Sequence, residues 1–299
     1  MSTQRRITRI VAVPPLAPGF GGDGHTAAQV VSPEEFRLND PFILLMDDHL
    51  DMGERQVGGA HPHAGFETVT LILDGTVHDP DEGGRLHAGE VQWMTAGRGV
   101  IHGENFKTLG KVRLLQLWLT LPKEHRWTMP RFQDVHATDV PVRHESGVDV
   151  RVYSGRSGRE RSSTLNYVPV TLVEFAMKPG TSVEQELPAT YNGFVVVIDG
   201  SVADGEGSTP LNNGQVGWLD RPDAEGTSVL RLTAGDEGAR LLLYAGEPQG
   251  HEIVAHGPFI GDSHDDIRRL YAEYRAGRMV RMSELAAPAR RASAMRSSK

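Results

Sequence analysis

The chain has 299 residues, with 31 Lys and Arg against 39 Asp and Glu, and it contains no cysteine. The formal net charge of −8 argues against a surface that binds nucleic-acid phosphates, so we expect no direct nucleic-acid binding. No apolar run approaches the roughly 18 residues of a membrane span, and the amino terminus lacks a convincing signal peptide. We therefore expect a soluble, cytoplasmic protein without membrane association, in which any metal is held by histidine or carboxylate.

The first informative stretch is "HPHAGFETVTLILDG", residues 61–75. Its β-branched run and terminal Asp-Gly are typical of a strand followed by a turn. Alternate residues of a strand share a face, so the odd positions from His61 to Leu73 are predicted to point the same way. That face would carry His61, His63 and Glu67 at one end and aliphatic side chains at the other.

The second stretch is "TAGRGVIHGEN", residues 95–105, in which His102 and Glu104 are again two positions apart. The glycines before His102 indicate a tight turn that delivers it. Together with His61 and His63 these residues form a set of three imidazoles and one carboxylate. Such a set suits Fe(II), Mn(II), Ni(II), Zn(II) or Cu(II) better than calcium or magnesium. Four ligands on an octahedral ion leave two positions for water, oxygen or substrate.

Residues 68–94 and 193–219 repeat each other without a gap at a shift of 125 (199 − 74), which superimposes Asp74-Gly75 on Asp199-Gly200 and Trp93 on Trp218. Short strands between glycine-rich turns favour a sandwich or barrel in each copy. The shift places Glu186, Pro188, Thr227 and Val229 where the first copy has its candidate ligands. The sequence thus predicts one metal-binding domain and one metal-free domain.

The predicted organisation is an amino-terminal metal-binding domain over residues 1–140 and a carboxy-terminal metal-free domain over 160–260. A helical segment over 261–282 and a mobile tail over 283–299 follow. The helix is predicted from residues that recur at helical spacing and would pack on a barrel: Ile267, Leu270, Tyr271 and Tyr274.

Three further side chains are weaker candidates for the wall of a pocket: Gln92, Met94 and Gln116. Gln116 lies in an otherwise apolar strand, where an amide needs a hydrogen-bond partner or a ligand. The indoles of Trp93 and Trp118 are predicted to be core residues, because Trp218 occupies the repeat position of Trp93.

Three segments, "HPHAGFETVTLILDG", "GEVQWMTAGRGVIHGE" and "LLQLWLTLP", resemble the pirin family of the cupin superfamily. The carboxy-terminal "VAHGPFIGDSHDDIRRLYAEYRAGRM" is similar to the end of pirins. The resemblance implies an all-β fold of two jelly-roll-like cupin barrels in tandem with a short carboxy-terminal helix. It also implies one Fe(II) per chain in the amino-terminal barrel, held by His61, His63, His102 and Glu104. One departure is Ala64, which stands where the family usually has arginine.

Three kinds of function remain open, and the resemblance implies the first two. One is an iron-dependent dioxygenase of quercetinase type, which cleaves a flavonol or related aromatic enediol-like substrate with O2 and uses Glu104 as catalytic base. The alternative is an iron-binding regulatory or redox-sensing protein that acts through a protein partner, and a different small-molecule reaction such as isomerisation is a third. Glu67 competes with Glu104 for the fourth ligand position, because general cupin patterns place a glutamate four residues after the second histidine. We expect Glu104 to be the ligand and Glu67 to have a supporting role.

Overall fold

The computed structural model describes residues 3–53, 55–79, 84–103, 106–205, 207–222 and 225–285. Strands dominate these ranges, and none of the helices within them is long and apolar enough to cross a membrane. The strands, numbered in chain order, are β1 (Thr3–Arg5), β2 (Ile7–Ala12), β3 (Ala17–Pro18), β4 (His25–Val31), β5 (Phe42–Leu50), β6 (His61–His63), β7 (Phe66–Asp74), β8 (Thr76–Asp79), β9 (Gly84–His87), β10 (Val91–Thr95), β11 (Val100–His102), β12 (Lys107–Thr108), β13 (Val112–Thr120), β14 (Arg131–Val135), β15 (Val142–Glu145), β16 (Val148–Ser154), β17 (Arg156–Ser157), β18 (Glu160–Arg161), β19 (Val170–Met177), β20 (Ser182–Pro188), β21 (Asn192–Ala203), β22 (Leu211–Asn212), β23 (Gln215–Leu219), β24 (Thr227–Gly246), β25 (Val254–His256), β26 (Phe259–Gly261) and β27 (Val280–Arg281). The helices are α1 (Phe36–Asn39) and α2 (His264–Arg275), and 3₁₀ turns occupy Pro33–Glu35, Lys123–His125 and Met282–Glu284.

The described chain divides into two compact units. The amino-terminal unit consists of residues 14–38, 42–138 and 249–285, and the carboxy-terminal unit consists of residues 3–13, 39–41 and 139–248. The predicted all-β architecture with one short carboxy-terminal helix is confirmed.

The amino-terminal unit is built on a seven-stranded sheet of order β14-β10-β7-β13-β5-β4-β3. Two three-stranded sheets, β27-β11-β6 and β12-β8-β9, and the hairpin β25-β26 complete it. The central strands β7 and β13 are buried along most of their length, in keeping with their aliphatic and β-branched sequences.

The carboxy-terminal unit contains a ten-stranded sheet in the order β15-β16-β19-β24-β21-β23-β2, with β1, β20 and β22 paired alongside. Its apolar core is made mainly of alternate residues of these strands, among them Phe175, Leu230 and Leu241, which are fully buried.

The internal repeat predicts equivalent strands correctly. β10 and β23 fall on one another at the 125-residue shift (216 − 91), and each pairs with the corresponding long strand, β7 or β21. Trp93 and Trp218 are both buried, at 0% and 9% exposure, so their predicted core role is confirmed. Trp118 differs, because it is only partly buried and lies against a histidine described below.

The structure draws the unit boundaries differently from the sequence prediction. β1 and β2 lie in the carboxy-terminal unit, where β2 pairs with β23 and β1 with β24, although residues 1–140 were predicted to be one domain. The buried Arg5 guanidinium fixes this arrangement by donating to the carbonyls of Ala189 and Tyr191 at 2.9 and 2.6 Å. An edge strand can join either of two similar sheets, and its alternation does not reveal which.

The carboxy-terminal segment conversely belongs to the amino-terminal unit. β27 pairs in parallel with β11, and the buried Met282 and Leu285 join a cluster with Val100 and Phe132. The predicted mobile tail over 283–299 therefore starts next to the packed Leu285, and its remainder, 286–299, lies outside the described residues.

The predicted continuous strand over residues 61–73 is wrong at Gly65. β6 ends at His63 and β7 begins at Phe66, and the two strands belong to different sheets. Gly65 has φ +88°, and a Cβ placed there would lie 1.9 Å from the carbonyl oxygen of Ile260. Only glycine fits this turn, and the turn resets the alternation on which the shared face was predicted.

The α2 helix packs on the amino-terminal unit through three of the four predicted residues. Ile267 and Leu270 are buried, and Tyr271 lies against the same cluster as Ala64 and Phe259. Tyr274 is 38% exposed, so its predicted packing role is wrong. Ser263 caps the helix by accepting a hydrogen bond from the Asp266 amide.

Leu270→Ala should lower the free energy of unfolding by about 2–5 kcal/mol, because a fully buried leucine is replaced by a cavity. Tyr274→Ala is the matched control on the same helix and should change stability by about 0.5 kcal/mol or less. Urea denaturation of the two variants measures the difference. Equal losses would contradict the packing described for α2.

Candidate metal centre

Three histidines are brought together by the pairing of two very short strands. β6 and β11 are antiparallel, and His61 lies directly opposite His102. Directly opposed residues of an antiparallel pair share a face, and His63, two positions from His61, shares that face as well. The pairing of β6 with β11 thus brings together the three histidines that the sequence singles out by their spacing.

The imidazoles of His61, His63 and His102 surround one point. One potential ligand atom from each lies within 4.8 Å of the other two. The ring centroids are 4.4 Å apart for His61 and His102, 4.9 Å for His61 and His63, and 5.0 Å for His63 and His102. Within the described ranges this is the single group of histidine and carboxylate side chains with such an arrangement.

Backbone carbonyls orient two of the rings. His61 Nδ1 lies 2.8 Å from the carbonyl oxygen of Gly59, and His63 Nδ1 lies 3.4 Å from that of Pro258. A carbonyl can only accept, so each Nδ1 carries the proton and each Nε2 keeps its lone pair for a metal. This is the usual arrangement of metal-binding histidines.

Electrostatics keeps His63 neutral. Burial holds the pKa of His63 well below its usual range, and the neighbouring rings of His102 and His61 lower it further. A neutral imidazole is the form that binds a metal. The donor set, three imidazole nitrogens that lie within 4.8 Å of one another, therefore fits a divalent transition metal.

The fourth predicted ligand and catalytic base, Glu104, lies outside the described residues. Its competitor Glu67 is fully buried and is not part of the histidine group. Because the strand alternation restarts at Phe66, Glu67 points to the opposite face of β7 from Phe66, and the Phe66 ring lies 5.1 Å from that of His63.

Glu67 has hydrogen-bonding partners of its own. Thr95 donates to Glu67 Oε1 at 2.5 Å, while Glu67 Oε2 and the indole Nε1 of Trp93 are buried without a hydrogen bond of good geometry. Burial raises the pKa of the Glu67 carboxyl to about 7, although Thr95, the indole N–H of Trp93 and the charge of Arg131 act in the opposite direction. These contacts agree with the supporting role predicted for this residue.

A row of half-buried side chains crosses the seven-stranded sheet on the face shared by Trp118. Strand register aligns one residue from each of five neighbouring strands. We call this set the polar row, although its last member is a methionine; it consists of Asp134, Gln92, Thr70, Gln116 and Met46. The Thr70 hydroxyl donates to Gln116 Oε1 at 2.7 Å, and Gln92 Nε2 donates to Asp134 at 3.3 Å. With Oε1 occupied, Gln116 has amide N–H groups available for a ligand.

Aromatic rings link the polar row to the histidines. Trp118 lies 5.3 Å from His63 and 4.4 Å from Phe66, measured between ring centroids. Gln116 is two residues before Trp118 on β13, which corresponds to roughly 6.7 Å along a strand. Of the pocket candidates predicted from sequence, Gln92 and Gln116 lie in this row, while Met94 is buried. Phe66 and Thr70 were missed, although the period of two would have placed them once the strand start was known.

The carboxy-terminal segment supports the strands that carry the histidines. Ile101 lies on the opposite face of β11 from His102 and packs with Leu270 and Met279. Ala64, at the position where an arginine was expected from the family, is fully buried in the same cluster. The side chain of Ala64 is thus part of an apolar cluster that packs beside β6 and β11, the strands that carry the histidines.

The fold and the histidine group define a two-domain cupin protein with one candidate metal centre. The family model described as Pirin matches residues 24–119, and the one described as Pirin C-terminal cupin domain matches residues 172–280. The chain belongs to the pirin family.

Individual relatives agree with this assignment. A pirin-like protein of Solanum lycopersicum is 32% identical over 86% of this chain and 88% of its own length. A Pseudomonas aeruginosa protein provisionally named as a quercetin 2,3-dioxygenase is 33% identical, covering 87% and 94% of the two chains. The crystal structure of a quercetin 2,3-dioxygenase from Acinetobacter baumannii superimposes with a TM-score of 0.79 at 27% identity and covers 92% of this chain and 98% of the other.

His63→Ala should lower metal affinity by at least the roughly 10- to 100-fold that the loss of a supporting group causes, because it removes a buried neutral donor. Wild-type protein purified without chelators should hold one transition-metal ion per chain, measured by elemental analysis. His144→Ala, which removes an exposed histidine of the carboxy-terminal unit, is the control and should keep the metal. Two ions per wild-type chain would contradict a single centre.

Glu67→Gln should change how the stability of the metal-free protein depends on pH. The folded-state pKa of about 7 exceeds the ordinary value of 4.5, so the stabilising contribution of the protonated carboxyl is complete below about pH 4.5 and is lost as pH rises through 7. The gap of about 2.5 (7 − 4.5) corresponds to about 3 kcal/mol at most. Relative to the variant, wild-type protein should lose stability over this range. Urea denaturation at a series of pH values measures the free energy of unfolding of both proteins. Parallel plots against pH would show that the pKa of Glu67 is not raised in the folded protein.

Proposed function

We propose that this protein is an iron-dependent dioxygenase of quercetinase type that cleaves a flavonol, or a related aromatic enediol-like substrate, with O2. The observation that carries the proposal is the position of the histidine group. The three imidazoles border a face that holds both an aromatic wall and a row of hydrogen-bonding groups. One relative and one structural neighbour that are named as quercetin dioxygenases support the same substrate class.

The residues beside the histidines suit a planar aromatic ligand. Trp118 and Phe66 offer ring surface next to His63, and Trp118 is partly exposed although it lies on a central strand. Aromatic rings favour offset or edge contacts with other rings, so these side chains would orient a flavonol edge toward the metal.

The polar row suits the oxygen atoms of such a ligand. Gln116, with its carbonyl held by Thr70, would donate from its amide nitrogen to a hydroxyl or carbonyl oxygen of the substrate. The two-residue spacing between Gln116 and Trp118 on β13, roughly 6.7 Å, matches a substrate that is longer than one ring. A purely apolar substrate would leave this amide without a partner, which disfavours it.

A divalent iron held by His61, His63, His102 and Glu104 would supply a Lewis acid that lowers the pKa of the substrate hydroxyl and a redox centre for dioxygen chemistry. We propose that Glu104 also acts as the general base, because a carboxylate beside the bound substrate oxygen would be within reach of the hydroxyl proton. The neutral state of His63 keeps positive charge from accumulating beside the ion.

Anaerobically iron-loaded protein should shift the visible spectrum of quercetin, and admission of air should then bleach it. Glu104→Gln should weaken iron affinity by roughly 10- to 100-fold or more and abolish bleaching even at saturating iron. Absorption spectroscopy with and without oxygen measures both steps, and loading with Mn(II), Ni(II) or Zn(II) in parallel tests the choice of metal.

Glu67→Gln is the matched control, because it changes a buried carboxyl outside the histidine group. It should retain iron and bleaching. If Glu67→Gln empties the centre while Glu104→Gln keeps it, the ligand and base assignments are wrong. Iron binding without any effect on quercetin would favour the regulatory alternative instead.

A further inference from the structure

Phe20 is a largely exposed aromatic side chain next to the histidine group. Its residue surface is 73% exposed, yet its ring centroid lies 6.0 Å from that of His61 and 5.2 Å from that of His25. Both contacts are edge-on, with interplanar angles of 61° and 77°, so one ring edge is packed while much of the ring faces outward. An exposed aromatic placed this way contributes little to the core.

Hydrogen bonds fix the loop that carries Phe20. The backbone between β3 and β4 closes when Gly19 donates to the His25 carbonyl and His25 donates to that of Gly22. Gly21 N–H donates to His25 Nδ1 at 3.0 Å, so the other ring nitrogen, Nε2, donates to Asp48 at 2.7 Å. His25 and Asp48 are both buried, at 3% and 7% exposure. The loop is therefore anchored, and the position of the Phe20 ring follows from it.

Gly58 leaves room for this ring. Its φ is +69°, and a Cβ at this position would lie 2.4 Å from a carbon of the Phe20 ring. Gly58 precedes His61 by three residues, and the neighbouring Gly59 orients His61 through its carbonyl. The segment that delivers the first histidine of the centre thus also accommodates Phe20.

We propose that Phe20 contacts substrate: its outward face is a platform at the mouth of the histidine group, and the planar rings of a flavonol-type substrate stack on it. The inference rests on the proposed function and adds a residue that selects for flat aromatic molecules. The core does not require a phenyl group at this position, whereas a ring next to His61 is correctly placed to touch a ligand whose oxygens reach the centre. A loop without regular structure gives no sequence pattern for such a role.

The test compares Phe20→Ala, Phe20→Tyr and Leu165→Ala, the last of which removes an exposed side chain of the carboxy-terminal unit. The anaerobic Kd for quercetin is measured on iron-loaded protein, together with iron content, melting temperature and, in air, KM and kcat. Phe20→Ala should raise Kd and KM roughly tenfold, the scale of one lost aromatic contact, with kcat changed much less. Phe20→Tyr, which keeps the ring, and Leu165→Ala should match the wild type.

Unchanged Kd and KM in Phe20→Ala would overturn the inference, as would a loss of iron or melting temperature that accounts for the weaker binding. If wild-type protein binds quercetin but air does not bleach it, the dioxygenase proposal fails while the comparison of Kd values still tests Phe20. If wild-type protein does not bind quercetin at all, both proposals are wrong.

Discussion

The pairing of β6 with β11 is the constraint on which the candidate centre depends. Each strand has three residues, too few to be stable alone, and the pair places His61 opposite His102. Three imidazoles this close to one another disfavour the accumulation of positive charge on the rings, since positive charges at this distance repel. The backbone carbonyls that hold Nδ1 of His61 and His63 therefore do more than orient the rings, because they keep the lone pairs directed at one point.

Such short strands need support from elsewhere in the chain. β27 extends the pair by binding β11, and the apolar cluster around Leu270 and Met279 covers Ile101 on the opposite face. The carboxy-terminal segment is thus a structural part of the amino-terminal unit. Loss of α2 packing would be expected to loosen β11, so stability at Leu270 and metal affinity at His102 are physically coupled.

Much of the fold and the centre follows from the sequence because the signals are local or repeated. The repeat at a shift of 125 residues (199 − 74) predicts two similar units. The pairs His61 with His63 and His102 with Glu104, each spaced by two, identify the candidate ligands. The errors have identifiable causes. Alternation does not pass through a left-handed glycine, so the face of Glu67 was misjudged at Gly65. Helical spacing predicts an amphipathic stripe but not its width, which is why Tyr274 is exposed.

Long-range pairing is the other part that the sequence does not reveal. β1 and β2 could pair with either of the two similar sheets, and the choice depends on residues far along the chain. The carbonyl that accepts from Arg5, for example, belongs to Ala189, which is 184 positions away. Phe20 is a similar case, since its significance comes from Gly58 and His61, which meet it only in the folded chain. Loops acquire chemical roles from the strands beneath them, and those roles become visible with the structure.

Glu67 and the proposed ligand Glu104 have different electrostatic requirements. A carboxylate bound to a divalent ion must be ionised, whereas burial raises the pKa of Glu67 to about 7 and favours its neutral form. Placing Glu67 on the opposite face of β7 from Phe66 keeps it among Thr95 and Trp93, away from the histidines. A second anion beside a divalent ion would leave the centre without net charge and make the ion a poorer Lewis acid. The proposed role of Glu104 as ligand would leave one carboxylate for the metal, while Glu67 supplies a carboxyl to the sheet.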